Sequence, residues 1–182
     1  MKGVVFTNFA ELVEDNYGLA MWQNILDTAN PPSGGIYVAT AQYDDQELIS
    51  LVGAASELLD MPAPVLIRRF GQFLWQYFEE NYPQFITSHD NLFDFLISVD
   101  SVIHMEVNKL YPNASTPDFE YDRESPKQLL MHYRSPRKLC HLSVGLIEAS
   151  ANYYQTPIRI EHPVCMHEGS DHCEIRVTIA DG

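Results

Sequence analysis

The chain has 182 residues, 46% hydrophobic and 20% charged, the proportions of one ordinary globule able to bury a real core. Eleven Lys and Arg stand against 25 Asp and Glu, a formal charge of -14, which argues against nucleic acid and anionic membrane surfaces as partners. Glu11, Glu14 and Asp15 fall where a signal peptide needs an apolar core, and no apolar run is long enough to span a bilayer. The expected location is therefore cytoplasmic.

In chain order, Val4 to Thr28 reads as helix with a break at Gly18, ended by the turn cluster Asn30-Pro31-Pro32-Ser33-Gly34-Gly35. Asp44 and Glu47 form a capping-box pattern ahead of Leu48, Ile49, Val52, Leu58 and Leu59. Met61-Pro62-Ala63-Pro64 interrupts that pattern and is the expected boundary between a lobe of residues 1–62 and one of residues 63–182. Helix resumes through Val65, Leu66, Phe70, Phe73, Leu74, Tyr77 and Phe78, and Pro83 closes it. A further helix carries Leu92, Phe95, Leu96, Val99, Ile103, Val107 and Leu110, three and four apart, and Pro112 stops it. Strands are expected at Glu120–Tyr121, Gln128–Tyr133, Pro157–Val164 and Glu174–Ile179. Between the second and third, Ser135 reads as an N-cap and Pro136 as the first residue of a helix through Leu139, Leu142, Leu146 and Ala149. Helices first and strands later give an α+β class with an antiparallel sheet. No output module follows Gly182, so the expectation is that any signal leaves through a separate protein.

The chemistry concentrates in Tyr133-Arg134-Ser135-Pro136-Arg137, read with His104. In an extended segment alternate side chains share a face, so Tyr133, Ser135 and Arg137 offer two hydroxyls and a guanidinium fork to carboxylates or phosphates. His104 lies beside an apolar helical stripe, where a histidine is either a satisfied core residue or a metal ligand. An object needing both a neutral imidazole and a carboxylate clamp at its rim is haem, with its iron and two propionates.

The run Ile103-His104-Met105-Glu106-Val107-Asn108-Lys109-Leu110-Tyr111-Pro112, then Pro117 and the Tyr133-x-Ser135-x-Arg137 triplet, resembles the heme nitric oxide/oxygen-binding (H-NOX) domain. Met1-Lys2-Gly3 and Phe70-Gly71-Gln72-Phe73 fit the same family. The resemblance implies a haem b gas sensor, with the haem between a helical N-terminal lobe and a larger lobe. It makes His104 the iron ligand, Tyr133, Ser135 and Arg137 the propionate clamp, and Pro117 the residue that presses the porphyrin out of plane. It places Val5, Phe9, Leu74, Phe78, Leu142 and Leu146 in the distal pocket. Family members that bind oxygen stably carry a distal tyrosine where this chain has Leu142. The apolar set therefore implies binding of nitric oxide and carbon monoxide and negligible stable binding of oxygen. The implied switch is release of the iron–His104 bond when nitric oxide binds, followed by movement of the N-terminal lobe. The implied partner is a histidine kinase, with a cyclic-di-GMP synthase or phosphodiesterase next. An enzyme reading, haem- or zinc-dependent, lacks distal acid–base groups or an open metal position. A haem carrier remains a third reading.

All three cysteines, Cys140, Cys165 and Cys173, fall in the final 43 residues, and His162 precedes Cys165 at H-x-x-C spacing. Three thiolates and one imidazole suit a tetrahedral structural zinc, and a subset of bacterial H-NOX proteins resembles this pattern. His141, His167 and His172 are alternatives to His162. A Cys165–Cys173 disulfide and a plain scatter of buried thiols stay open. Oxidation of zinc-bound thiolates would make the cluster a redox sensor.

Overall fold

A computed structural model describes residues 1–105, 109 and 116–180. The helix expected through Val107 and Leu110 to Pro112 lies partly outside these residues. Helices α1 (Gly3–Tyr17) and α2 (Leu19–Ala29) flank Gly18, whose φ of 84° breaks the run as expected. Helix α3 (Asp45–Leu58) starts after Asp44, whose side chain accepts from Gln46 N at 2.9 Å and caps it. The capping box does not close. Glu47 is buried and accepts instead from Ser33 N and Tyr37 OH, both at 3.3 Å, because the 30–44 loop folds over the helix start and brings its own unpaired donors.

Helix α4 (Ala63–Asn81) follows Pro62 and ends just before Pro83 as expected, and Pro83 then opens a short helix, α5 (Pro83–Thr87). Helix α6 (Leu92–Ser98) begins at Asn91, whose side chain accepts from Asp94 N. At Val99 the winding widens into a π-helical segment, Val99–His104.

The sheet has strands β1 (Asp118–Ser125), β2 (Gln128–Arg134), β3 (Ile158–Val164) and β4 (Cys173–Ile179), in the order β1-β2-β4-β3, every neighbour antiparallel. Helix α7 (Cys140–Tyr153) joins β2 to β3. It opens four residues later than Pro136. Lys138 takes a left-handed φ of 52° and its N–H closes a turn on Ser135 O at 3.1 Å, so the Ser135–Lys138 stretch cannot be helix.

Two cores result. One is helical, built on Phe6, Phe9, Val13, Ile25, Leu48, Leu51, Leu66, Phe70 and Leu74. The other lies between the sheet and α6 and α7, with Leu129, Met131, Tyr133, Cys173, Ile175 and Val177 pointing into it from β2 and β4. Helix α4 contributes Leu66, Phe70 and Leu74 to the first and Trp75 to the second, and Leu146 of α7 packs on both. These two helices meet at glycines. A Cβ on Gly71 would strike Leu142 O, and one on Gly145 would strike Arg68 O. Backbone-to-backbone approach is possible there because neither residue has a side chain. Arg68 Nε donates to Glu148 Oε2 at 2.7 Å and Gln72 Nε2 to the same oxygen at 2.9 Å, lacing the crossing at its rim.

Candidate functional site: an imidazole, a clamp and a thiol cluster

Ser98 Oγ donates back to Phe95 O at 2.7 Å, and the N–H of Val99 turns to Leu96 O. Such back-bonding loosens an α-helix, and a π turn here rotates the residues that follow. Val99 and Ile103 still reach the sheet core, while His104 lies at the end of the wide turn. The imidazole is 16% exposed, and its Nδ1 lies 3.4 Å from Asp100 Oδ1, one turn back. Burial pushes its pKa below the ordinary value, against the pull of Asp100 and of the Pro117 carbonyl. The ring is thus neutral near pH 7, with Nδ1 beside the Asp100 carboxylate.

His104 stacks on Phe119 at 5.9 Å between ring centroids, and Phe119 meets Tyr133 edge-on at 5.4 Å. One phenyl ring therefore joins the imidazole to the clamp. Tyr133 is 1% exposed, and its hydroxyl oxygen accepts from Leu139 N at 2.9 Å, at the start of α7. Burial raises its pKa to about 12, with bonds from Ser135 and Leu139 pulling the other way. Ser135 is buried and its Oγ accepts from Arg137 N at 3.3 Å. The triplet is brought together by the end of β2 and the following turn, not by one extended strand.

The guanidinium of Arg137 crosses to the helical lobe, where its Nε donates to Asp45 Oδ2 at 2.6 Å. The other Asp45 oxygen lies 2.7 Å from the Met1 ammonium, which also donates to Tyr43 O at 2.6 Å. Burial would raise the Asp45 pKa, but the ammonium and Arg137 together hold it below the ordinary value. Sequence reasoning missed Asp45, since nothing local ties it to a partner 92 residues away. It also missed Asp100 and Phe119. The i, i+4 spacing of Asp100 and His104 was a readable signal.

Val5 and Phe9 come from α1, Leu74 and Phe78 from α4, and Leu142 and Leu146 from α7, and all six belong to or pack against the helical core. The apolar residues thus gather on the side of the α4–α7 crossing away from the sheet. The donor set fits haem: one neutral, buried imidazole, a guanidinium with two hydroxyls, and an apolar wall.

Cys140 opens α7, Cys173 opens β4, Cys165 follows β3, and His162 is on β3. The three sulfurs and one nitrogen of His162 all lie within 4.8 Å of one another. Cys140 Sγ and Cys165 Sγ are 3.9 Å apart, and Cys173 Sγ accepts from Met166 N at 3.2 Å. All three cysteines are free and buried. Burial pushes the Cys140 and Cys173 thiols up and His162 down. His162 Nε2 is buried with no hydrogen-bond partner. Three free thiols and a histidine with a buried, unpartnered nitrogen fit zinc, a cation that takes this ligand set. Of the alternatives to His162, His141 and His167 stack at 5.9 Å and form a second trio with Cys140, while His172 faces His132 elsewhere.

A family model described as haem-NO-binding matches residues 2–162. The chain is similar to soluble guanylate cyclase gcy-35 of Caenorhabditis elegans, 26% identical over 163 residues, a match that takes in 87% of this chain and 24% of the cyclase. It spans about a quarter of the length of the curated relatives it matches. Among solved structures it is similar to an H-NOX protein from S. oneidensis in the Fe(II)NO ligation state, with 31% identity, a TM-score of 0.92 and all of both chains covered. It is also similar to the Fe(II) unliganded H-NOX protein from K. algicida, with 26% identity, a TM-score of 0.94, and 100% and 98% of the two chains covered.

Proposed function

The chain belongs to the haem-NO-binding (H-NOX) family, whose domains sense gases through haem and are not themselves catalytic, and from that premise we propose that it is a nitric oxide sensor acting on a separate signalling enzyme. A histidine kinase is the preferred partner and a cyclic-di-GMP synthase or phosphodiesterase the next. The observation that supports the reading most is the ring contact His104–Phe119–Tyr133, which joins the imidazole to the tyrosine of the proposed clamp. His104 would hold the haem iron, and the haem so held would supply the site that takes up nitric oxide or carbon monoxide.

The chain's own residues do the rest. His104, held by Asp100, offers a neutral nitrogen whose release costs no buried charge. Tyr133, Ser135 and Arg137 would hold the propionates, and Pro117, whose carbonyl bonds His104, would lie against the porphyrin. Val5, Phe9, Leu74, Phe78, Leu142 and Leu146 present no hydrogen-bond donor, so bound oxygen gains no stabilisation. Asp45 couples the clamp to the helical lobe, because Arg137 and the Met1 ammonium share its carboxylate. Any ligand-driven shift at the clamp is therefore felt at the N-terminus. In this reading the lobes of residues 1–62 and 63–182 shift against each other, and a gas ligand drives the shift only through a difference in its affinity for the two arrangements.

Cys140, His162, Cys165 and Cys173 bind structural zinc in this reading, pinning α7 to the hairpin of β3 and β4. Reduced thiols in a closed cluster suit a cytoplasmic location. No single helix among the described residues is long and apolar enough to cross a membrane. The test is to mix haem-loaded protein with the kinase and follow autophosphorylation with and without nitric oxide. A change of several-fold is expected. An unchanged rate for the kinase and for both cyclic-di-GMP enzymes would refute the regulatory reading.

A further inference from the structure

The sheet has a second face. In β2 and β4, Tyr133 and Cys173 are register partners and point inward. Their neighbours His132 and Glu174 are also register partners and point to the opposite, solvent face. His172, just before β4, joins them there: its ring centroid is 5.7 Å from that of His132, and its Nε2 lies 3.7 Å from Glu174 Oε1. One ligand atom from each of His132, His172 and Glu174 lies within 4.8 Å of the others. All three side chains are partly shielded, at 18%, 23% and 26% exposure.

Each imidazole is held by an outer carboxylate. His132 Nε2 is 3.0 Å from Asp122 Oδ2 of β1, and His172 Nδ1 is 2.6 Å from Asp171 Oδ1. A carboxylate on one ring nitrogen fixes the tautomer and leaves the other nitrogen as a lone-pair donor, the arrangement that orients histidines for metals. The nearest cationic side chains are spoken for: Arg134 pairs with Glu120 at 3.3 Å, and Arg176 with Glu124 at 3.3 Å and Glu161 at 4.0 Å.

We propose that His132, His172 and Glu174 form a second metal site, distinct from the cysteine cluster, for a borderline divalent cation such as zinc. Two imidazole nitrogens and one carboxylate oxygen suit zinc, nickel or copper rather than magnesium or calcium, which prefer all-oxygen sets. Zinc bonds to these donors run about 2.0–2.2 Å, so the three side chains close on the ion by rotating their χ angles inward by about 1 Å. Three protein ligands leave a fourth position to water, unlike the closed set of three cysteines and His162. The ion clasps β2 to β4 one residue away from Tyr133 and from Cys173, on the face opposite both. This site rests on the sheet face alone and stands whether or not the gas-sensor reading does.

Cadmium-113 NMR of the full chain in its diamagnetic ferrous carbon-monoxide form tests it, because thiolate ligation moves the resonance far downfield of nitrogen and oxygen ligation. Titration with cadmium is expected to give an upfield resonance, in the nitrogen–oxygen range, besides any thiolate resonance. In the double variant His132→Gln with His172→Gln the upfield resonance disappears, with the haem spectrum unchanged as a check on folding. Asp122→Asn with Asp171→Asn keeps the ligands and weakens zinc binding at this site by about 10–100-fold in calorimetry. The absence of any upfield resonance at two equivalents of cadmium overturns the proposal. So does an upfield resonance that survives in the double variant, or zinc affinity that the aspartate changes leave unmoved.

Discussion

Gly145→Ala is the sharpest test of how the two cores are joined. Alanine in place of glycine inside a helix gains about 1 kcal/mol in propensity. At Gly145 the new methyl would meet Arg68 O, with Arg68 C at 2.9 Å and Gln72 N at 3.0 Å. These are backbone atoms of α4, so no side chain can rotate away and the helices must part. Overpacking costs typically about 1–3 kcal/mol, occasionally more, and a backbone clash belongs at the upper end. Separation also strains the bonds from Arg68 and Gln72 to Glu148, which are partly exposed and add little. The net expectation is a loss of about 2 kcal/mol, or about 4–8 °C in Tm for a chain of this size. Gly53 in α3 is the control, because a Cβ there meets nothing within 4 Å. Gly53→Ala should gain about 0.5–1 kcal/mol. Urea unfolding and calorimetry of both variants, haem-loaded, read the difference. Because Leu142 and Leu146 flank position 145 on α7, carbon monoxide dissociation should also quicken in Gly145→Ala alone. Equal stability of the two alanine variants would refute the close crossing.

Other outcomes follow from the clamp, the bridge and the cysteines. Arg137→Ala should speed haem loss to an acceptor protein by about tenfold or more, since a charge-assisted bond contributes about 1.5–3 kcal/mol; unchanged loss would remove Arg137 from the propionate site. Asp45 has its pKa held below the ordinary 3.8, so its contribution is full above that value and fades as pH falls through the lower folded value. Asp45→Asn should therefore cost about 0.5–1 kcal/mol at pH 7, a figure reduced for its partial exposure, and less as pH falls below 3.8, measured by urea unfolding. A difference that does not shrink as pH falls below 3.8 would show the loss is not the carboxylate's charge. His162→Ala should weaken zinc by about 100-fold or more, read by dialysis against a chelator; full retention would point to His141 or His167 as the fourth ligand.

The architecture was readable where a local rule decided it. The break at Gly18 and the cap at Asp44 each follow from one residue's geometry. The α+β class followed from the order of helices and strands. The cysteine set was readable because H-x-x-C spacing and a hairpin bring residues close in sequence close in space. Ser135-Pro136 misled because a good N-cap followed by proline is also a good turn, and the left-handed Lys138 decides between them. Glu47 misled for a similar reason: its capping partner was local, but a loop 10–14 residues away offered better donors. The Asp45–Arg137 bridge and the Phe119 link between His104 and Tyr133 exist only once separate elements pack, so no pattern in the chain announces them. The π turn at Val99–His104 is a rearrangement of one hydrogen bond per residue, invisible to a reading based on three-and-four spacing.

The most direct measurement is the absorption spectrum of the purified ferrous protein, before and after nitric oxide, beside that of His104→Ala. The account predicts a five-coordinate ferrous haem that keeps its spectrum under air, a nitrosyl spectrum of five-coordinate type, and an altered resting spectrum in the variant that exogenous imidazole restores. A colourless protein that refuses added hemin, or a variant whose resting spectrum matches the parent's, would contradict it.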